Sequence, residues 1–153
     1  DDLKAGKVIG LVSDAGTPGI SDPGYLIVKN CLENDIEVEC LPGPTALIPA
    51  IVISGIPSER FSFEGFLPIK KGRKKRLEDL SLEKRTMVFY ESPHKISKTL
   101  DDLKVHFGKD RKVSVSKELT KIHESTIRGT LGSINIGNGK IRGEFVIVVE
   151  GLK

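Results

Sequence analysis

Two loops in this sequence have the residue types of a ligand site built from main chain rather than from side chains. The first is Ser13-Asp14-Ala15-Gly16-Thr17-Pro18-Gly19-Ile20-Ser21-Asp22-Pro23-Gly24, the second Pro42-Gly43-Pro44-Thr45. Glycine and other small residues let a ligand come close to backbone N–H and C=O groups, and loops leaving the carboxyl ends of parallel strands are where open α/β sheets bind ligands. Neither loop carries a Walker lysine pattern or a GxGxxG arrangement, so nucleotide phosphate binding is not indicated. A pair of structural turns is the competing reading. A third feature is electrostatic: Lys70-Lys71-Gly72-Arg73-Lys74-Lys75-Arg76 puts six cations into seven residues. Such a run suits phosphate contacts that add affinity without reading base sequence. The alternative is a solvated helix face.

The elements that must position these loops follow from the hydrophobic pattern. Residues 7–12 (Val8, Ile9, Leu11, Val12) read as a short buried strand feeding the first loop. Asp22-Pro23 reads as an N-cap followed by proline at the first helical position, opening a helix that turns Leu26, Ile27 and Leu32 inward. Residues 36–41 alternate apolar and acidic, a half-exposed strand leading into the second loop, and Thr45 is the expected cap of an apolar helix through Ile53. The order βαβα implies a parallel sheet, with both loops at one edge. Beyond the linker Gly55-Ile56-Pro57-Ser58, strands are expected at 61–66, 86–90, 112–119, 125–129 and 144–150, the last nearly all apolar and therefore central. Helices are expected at 73–82 and from Ser92-Pro93 onward, where Ile96, Leu100, Leu103 and Phe107 recur at helical spacing. The fold class expected is α/β in two domains, 1–58 and 59–153.

Composition agrees with an ordinary globular protein: 153 residues, 38% hydrophobic, 29% charged. The longest apolar stretch, residues 46–53, is far short of the roughly 20 needed to span a bilayer. The chain starts at Asp1 and its only methionine is Met87, so a piece of a longer, cytoplasmic protein is expected, with Cys31 and Cys40 as reduced, buried thiols and no metal site. Charge is divided unevenly. Residues 1–60 hold 4 Lys/Arg against 9 Asp/Glu, net −5, and residues 61–153 hold 20 against 12, net +8. The second half is suited to a polyanion.

The first loop resembles the signature of the ribosomal RNA small-subunit methyltransferase I family, within the tetrapyrrole methylase superfamily. Five further stretches match in order: Leu41-Pro42-Gly43-Pro44-Thr45-Ala46, Phe61-Ser62-Phe63-Glu64-Gly65-Phe66-Leu67-Pro68, Arg85-Thr86-Met87-Val88-Phe89-Tyr90-Glu91-Ser92-Pro93-His94, Lys117-Glu118-Leu119-Thr120-Lys121 with Glu124, and Gly143-Glu144-Phe145 through Glu150-Gly151. The resemblance implies a two-domain enzyme that uses S-adenosylmethionine to methylate the ribose 2′-hydroxyl of a cytidine in small-subunit (16S) ribosomal RNA. It also implies a homodimer. Carried over by motif, Asp14, Ala15, Gly16, Thr17, Pro42, Thr45, Met87 and Val88 would line the cofactor site, mostly through backbone. The family's first strand and loop have no counterpart upstream of Asp1, which leaves a partial N-terminal sheet, and the Gly-rich 131–140 segment departs from the family pattern.

Methyl transfer to a ribose oxygen needs an aligned nucleophile and an acceptor for its proton. Glu118, Lys121 and Glu91, with His94, are the polar groups expected near the hydroxyl: a carboxylate would take the proton, and a lysine would hold a phosphate or, with a lowered pKa, act as base. Lys70, Lys71, Arg73, Lys74, Lys75 and Arg76 are the candidate RNA contacts. Phe63 and Phe66, three apart, belong on opposite faces of a regular strand, which argues against a base-stacking platform. The competing functions are a tetrapyrrole (corrin or porphyrin) methyltransferase, disfavoured by the basic second half, and a non-catalytic RNA-binding fragment.

Overall fold

Among the described residues five strands and four helices form, most of them in the second part of the chain. The structure, a computed structural model, describes residues 1–137 and 141–153; the end of the Gly-rich segment, residues 138–140, lies outside the described residues. The chain divides into two compact units, Asp1–Thr45 and Ala46–Lys153, so the division falls earlier in the chain than the expected 58/59 boundary.

In the first unit the only regular element among the described residues is helix α1 (Tyr25–Leu32). The strands expected at 7–12 and 36–41 do not form, and with them the expected parallel ladder is missing. An extended segment becomes a strand only when a neighbour supplies ladder hydrogen bonds, and these two segments do not pair. Val8, Val12 and Leu41 are exposed, as are Leu26, Ile27 and Leu32 of α1, because no sheet face is present in this unit for them to cover. Helix α1 also starts later than Asp22-Pro23 implies: its N-cap is Gly24, without a side-chain cap bond. Cys31 is buried in α1, whereas Cys40, expected inside, is exposed; both are free thiols.

The second unit is built on one sheet. Helix α2 (Leu47–Ser54) precedes β1 (Phe61–Gly65), α3 (Arg73–Ser81), β2 (Thr86–Glu91), α4 (Ile96–Phe107), β3 (Lys112–Lys117), β4 (Ser125–Thr130) and β5 (Phe145–Val149). The sheet order is β1-β2-β5-β3-β4. β1 and β2 are parallel, as a crossover through α3 requires, and the other pairings are antiparallel. As its all-apolar sequence predicts, β5 lies in the middle and is buried throughout.

The two faces of the sheet carry different cores, because successive strand residues point to opposite sides. Met87 and Phe89 of β2, Ile147 and Val149 of β5 and Val113 and Val115 of β3 join Leu77 and Leu80 of α3 and Ile96, Leu100, Leu103 and Phe107 of α4. On the other face Val88, Val146 and Val148 meet Leu47, Ala50 and Ile51 of α2, with Phe63, Tyr90 and Leu119 packed beside them. Helix α2 is not capped by Thr45. Ala46 occupies the N-cap, and the Leu47 N–H donates instead to the Tyr90 hydroxyl at 3.2 Å. Pro49 falls in its first turn, where a missing N–H costs no helical bond, and Gly55, at φ 72°, closes the helix in the left-handed region.

Candidate functional site

In the first unit the two Gly/Pro loops meet. Thr17 donates its backbone N–H (3.0 Å) and its hydroxyl (3.2 Å) to the Pro44 carbonyl. The approach is close enough to require glycine: a Cβ on Gly43 would lie 2.8 Å from Thr17 Oγ1, and one on Gly16 3.2 Å from Pro44 O. The first loop is braced from inside by Ser13 Oγ, which donates to the Gly16 carbonyl at 2.8 Å. Asp14, Ala15, Gly16 and Pro42 are exposed and Thr17 and Thr45 half-buried. Six of the eight residues expected to line a cofactor site are thus carried by two mutually braced loops. The other two, Met87 and Val88, sit mid-strand in β2, one on each face, with fully buried side chains. Their side chains are core, and β2 is paired on both edges at these positions, so the structure gives them no open surface for a ligand.

The second unit holds a compact charged cluster where β3 ends. Lys121 Nζ lies 3.2 Å from Glu118 Oε1 and 3.0 Å from Glu144 Oε2. Glu118 Oε1 also accepts the Glu144 N–H at 2.9 Å, and the Glu118 N–H donates to the Glu144 carbonyl at 3.0 Å. The chain turns here as the three-residue spacing of Glu118 and Lys121 demands. Glu118 and Thr120 take positive φ (50° and 66°), uncommon for residues with a side chain, and the Thr120 N–H donates to Glu124 Oε2 at 2.6 Å. Gly143, at φ 91°, lets the start of β5 approach: a Cβ there would fall 2.5 Å from Glu118 Cγ. The Glu144 N–H, then Lys121, hold the Glu118 carboxyl below the usual carboxylate range. Glu144 and Glu118 together push the Lys121 ammonium above the usual lysine range. Lys121 is therefore held between two carboxylates that favour its charged form.

Glu91 does not join this cluster. It is buried at the end of β2; Oε1 accepts the Ser92 N–H at 2.8 Å and Oε2 accepts the Thr99 hydroxyl at 2.6 Å. Thr99 Oγ1 in turn accepts from Arg73 Nη2 at 2.9 Å, while Arg73 Nε donates to Asp102 Oδ2 at 2.8 Å and Nη1 to the Pro68 carbonyl at 3.0 Å. One carboxylate oxygen of Glu91 thus ties β2 to Thr99 of α4 and the other holds the Ser92 N–H, so both oxygens already have partners. The same network takes Arg73 out of the set of RNA contacts, since its guanidinium is buried with three partners. Arg76 is paired with Glu64. Lys70, Lys71, Lys74 and Lys75 are exposed, and His94 and His123 also face solvent.

The profile of the Tetrapyrrole (Corrin/Porphyrin) Methylases matches residues 1–135. The chain belongs to the tetrapyrrole methylase family. Within it, the chain is 49% identical over 154 residues to the ribosomal RNA small subunit methyltransferase I of Xylella fastidiosa, covering 97% of this chain and 56% of that protein. It is 46% identical to the protein of the same name from Mycobacterium tuberculosis, covering 99% and 54%, and 44% identical to that of Thermotoga maritima, covering 97% and 68%. The chain thus spans about half the length of the first two relatives. In fold it resembles the methyltransferase CobJ, with a TM-score of 0.71 at 20% identity over 98% of this chain and 67% of that one. It also resembles the uroporphyrin-III C-methyl transferase of Thermus thermophilus complexed with S-adenyl homocysteine, with a TM-score of 0.60 at 17% identity over 88% and 62%.

Two parts of this tetrapyrrole methylase chain escape sequence reasoning. The role of Glu144 comes from a backbone exchange with a residue 26 positions earlier, which no local pattern signals. The burial of Arg73 is different: Arg73, Leu77 and Leu80 follow i, i+4, i+7, and all three are buried. That period was available in the sequence.

Proposed function

We propose that the protein carrying this chain methylates the 2′-hydroxyl of a cytidine ribose in small-subunit ribosomal RNA, with S-adenosylmethionine as methyl donor, as a cytoplasmic homodimer. The observation that carries this reading is the 44–49% identity, over nearly the whole chain, to proteins named ribosomal RNA small subunit methyltransferase I. The clamped cation at the end of β3 supports it from the chemistry. A cofactor held through main chain needs exposed backbone on small-residue loops, and the braced loops of the first unit fit that need. Asp14, Ala15, Gly16, Thr17, Pro42 and Thr45 would hold it. S-adenosylmethionine supplies a methyl group on a sulfonium, already activated for transfer.

The remaining work falls to the chain's own residues: orienting the hydroxyl and accepting its proton. Lys121, flanked by two carboxylates, would hold the ribose-phosphate of the substrate. Glu118 commits Oε1 to Lys121 and to the Glu144 N–H. Oε2, with no hydrogen bond among the described residues, is the acceptor for the proton. A carboxylate held below its usual range is a weak base, so its contribution is one of position. Glu118→Gln keeps the size and removes the acceptor, and turnover should fall roughly 10²–10⁴-fold with RNA and cofactor binding retained. Turnover equal to the parent's, with Lys121→Ala alone inactive, would overturn this role and assign the chemistry to the lysine.

A further inference from the structure

Phe63 and Phe66 meet on one side of Tyr90, contrary to their spacing. The β1–β2 register slips between Phe63 and Gly65: Phe63 stands opposite Val88, and Gly65, not Glu64, stands opposite Phe89. Gly65 takes φ 60°. One extra residue in a strand resets the alternation of faces, and Phe66 arrives on the side of Phe63. The ring centroids lie 4.9 Å (Phe63–Tyr90) and 5.9 Å (Phe66–Tyr90) apart, both pairs edge-on at 69° and 68°. Phe63 and Tyr90 pack against the α2 core, but Phe66 is 56% exposed.

The surroundings of Phe66 are cationic and fixed. Leu67 is buried, and the Pro68 carbonyl accepts from Arg73, so the segment from Phe66 into α3 is anchored at both ends. Between and beyond those anchors stand Lys70, Lys71, Lys74 and Lys75, all exposed. Lys70, Lys71 and Lys75 have no carboxylate partner among the described residues; Lys74 lies 3.8 Å from Glu78. Lys70 lies four positions after Phe66, at most roughly 14 Å of chain. We propose that Phe66, backed by Tyr90 and Phe63, is a stacking platform for one unpaired base of single-stranded RNA whose phosphates are held by the lysines that follow. A flat ring more than half exposed, followed in the chain by cations without carboxylate partners, is complementary to a base joined to a phosphate. The proposal rests on the RNA reading given above and adds to it a site that reads the base's face.

The test is equilibrium binding of single-stranded RNA of small-subunit ribosomal sequence to the parent protein and to Phe66→Ala, Phe66→Leu and Lys70→Ser/Lys71→Ser variants, across a salt series. Phe66 is exposed, so its variants should melt with the parent. Both should bind roughly 5- to 150-fold more weakly with an unchanged salt slope. The lysine pair should reduce the slope by about 1.4, at roughly 0.7 per single-strand phosphate. Leucine keeps the apolar bulk and lacks the π-face, so parent-like binding by Phe66→Leu would overturn the platform. Loss of self-association in Phe66→Ala, with RNA affinity intact, would overturn it too and make the ring an interface between copies. A parent that binds no RNA would overturn the RNA reading itself and the platform with it.

Discussion

At the scale of single residues, the charged cluster has a pH signature. Glu118 is held below its ordinary value of 4.5, so what its pairing contributes is fully present above that value and lost as pH falls through the depressed one. Lys121 is raised above its ordinary 10.5, so its contribution is present below 10.5 and lost as pH rises through the raised value. Glu118, Lys121, Glu144, Glu124 and Lys117 are the charged groups that meet there. The lock should therefore stay closed from the mildly acidic range to beyond pH 10. NMR titration of the Glu118 carboxyl carbon and the Lys121 Nζ should show the first titrating below 4.5 and the second above 10.5; a Glu118 midpoint at or above 4.5 would mean the clamp is open in solution. This much was half legible in the sequence. Glu118 and Lys121 stand three apart, and only a turn after β3 brings them together, which the positive φ at Glu118 and Thr120 accomplishes. Glu144 was hidden because its part depends on a backbone exchange between distant segments.

At the scale of elements, α3 and β1 show where pattern reasoning holds and where it stops. The helix over Arg73–Ser81 follows from its sequence, but Arg73, expected among the RNA contacts, is buried with Leu77 and Leu80. What makes that burial tolerable is supplied from α4, by Asp102 and Thr99, and from the Pro68 carbonyl. Removing a buried guanidinium leaves those partners unsatisfied, so Arg73→Ala should cost about 2–4 kcal/mol of stability. Lys74→Ala, which breaks only an exposed pair with Glu78, should cost less than about 0.5 kcal/mol. Urea unfolding of the two variants checks this, and equal losses would show that Arg73 is solvated like its neighbours. In β1 a strict period of two puts Phe66 on the wrong face. The bulge at Gly65 is a local departure that the period cannot register. Residues 7–12 and 36–41 fail for another reason: apolar alternation says which residues would line a strand, but not that a neighbouring strand is there to pair with it.

At the scale of the whole molecule, the two units differ in how much of their fold is local. Among the described residues the second unit carries a five-stranded sheet with a core on each face, and its strands and helices follow closely from periodicity and turn residues. The first keeps one helix and the braced loops. The charge follows the same division of labour, acidic toward the start and net +8 over residues 61–153, as suits a polyanionic substrate in place of a small ring. Among the described residues no helix is long and apolar enough to cross a membrane. The decisive measurement is transfer of labelled methyl from S-adenosylmethionine, by the protein carrying this chain, to assembled small ribosomal subunits, naked small-subunit rRNA and a tetrapyrrole in parallel. Label recovered as 2′-O-methylcytidine from the ribosomal RNA, with none on the tetrapyrrole, is the expected result. Label on the tetrapyrrole alone, or on an RNA base instead of the ribose, would contradict it.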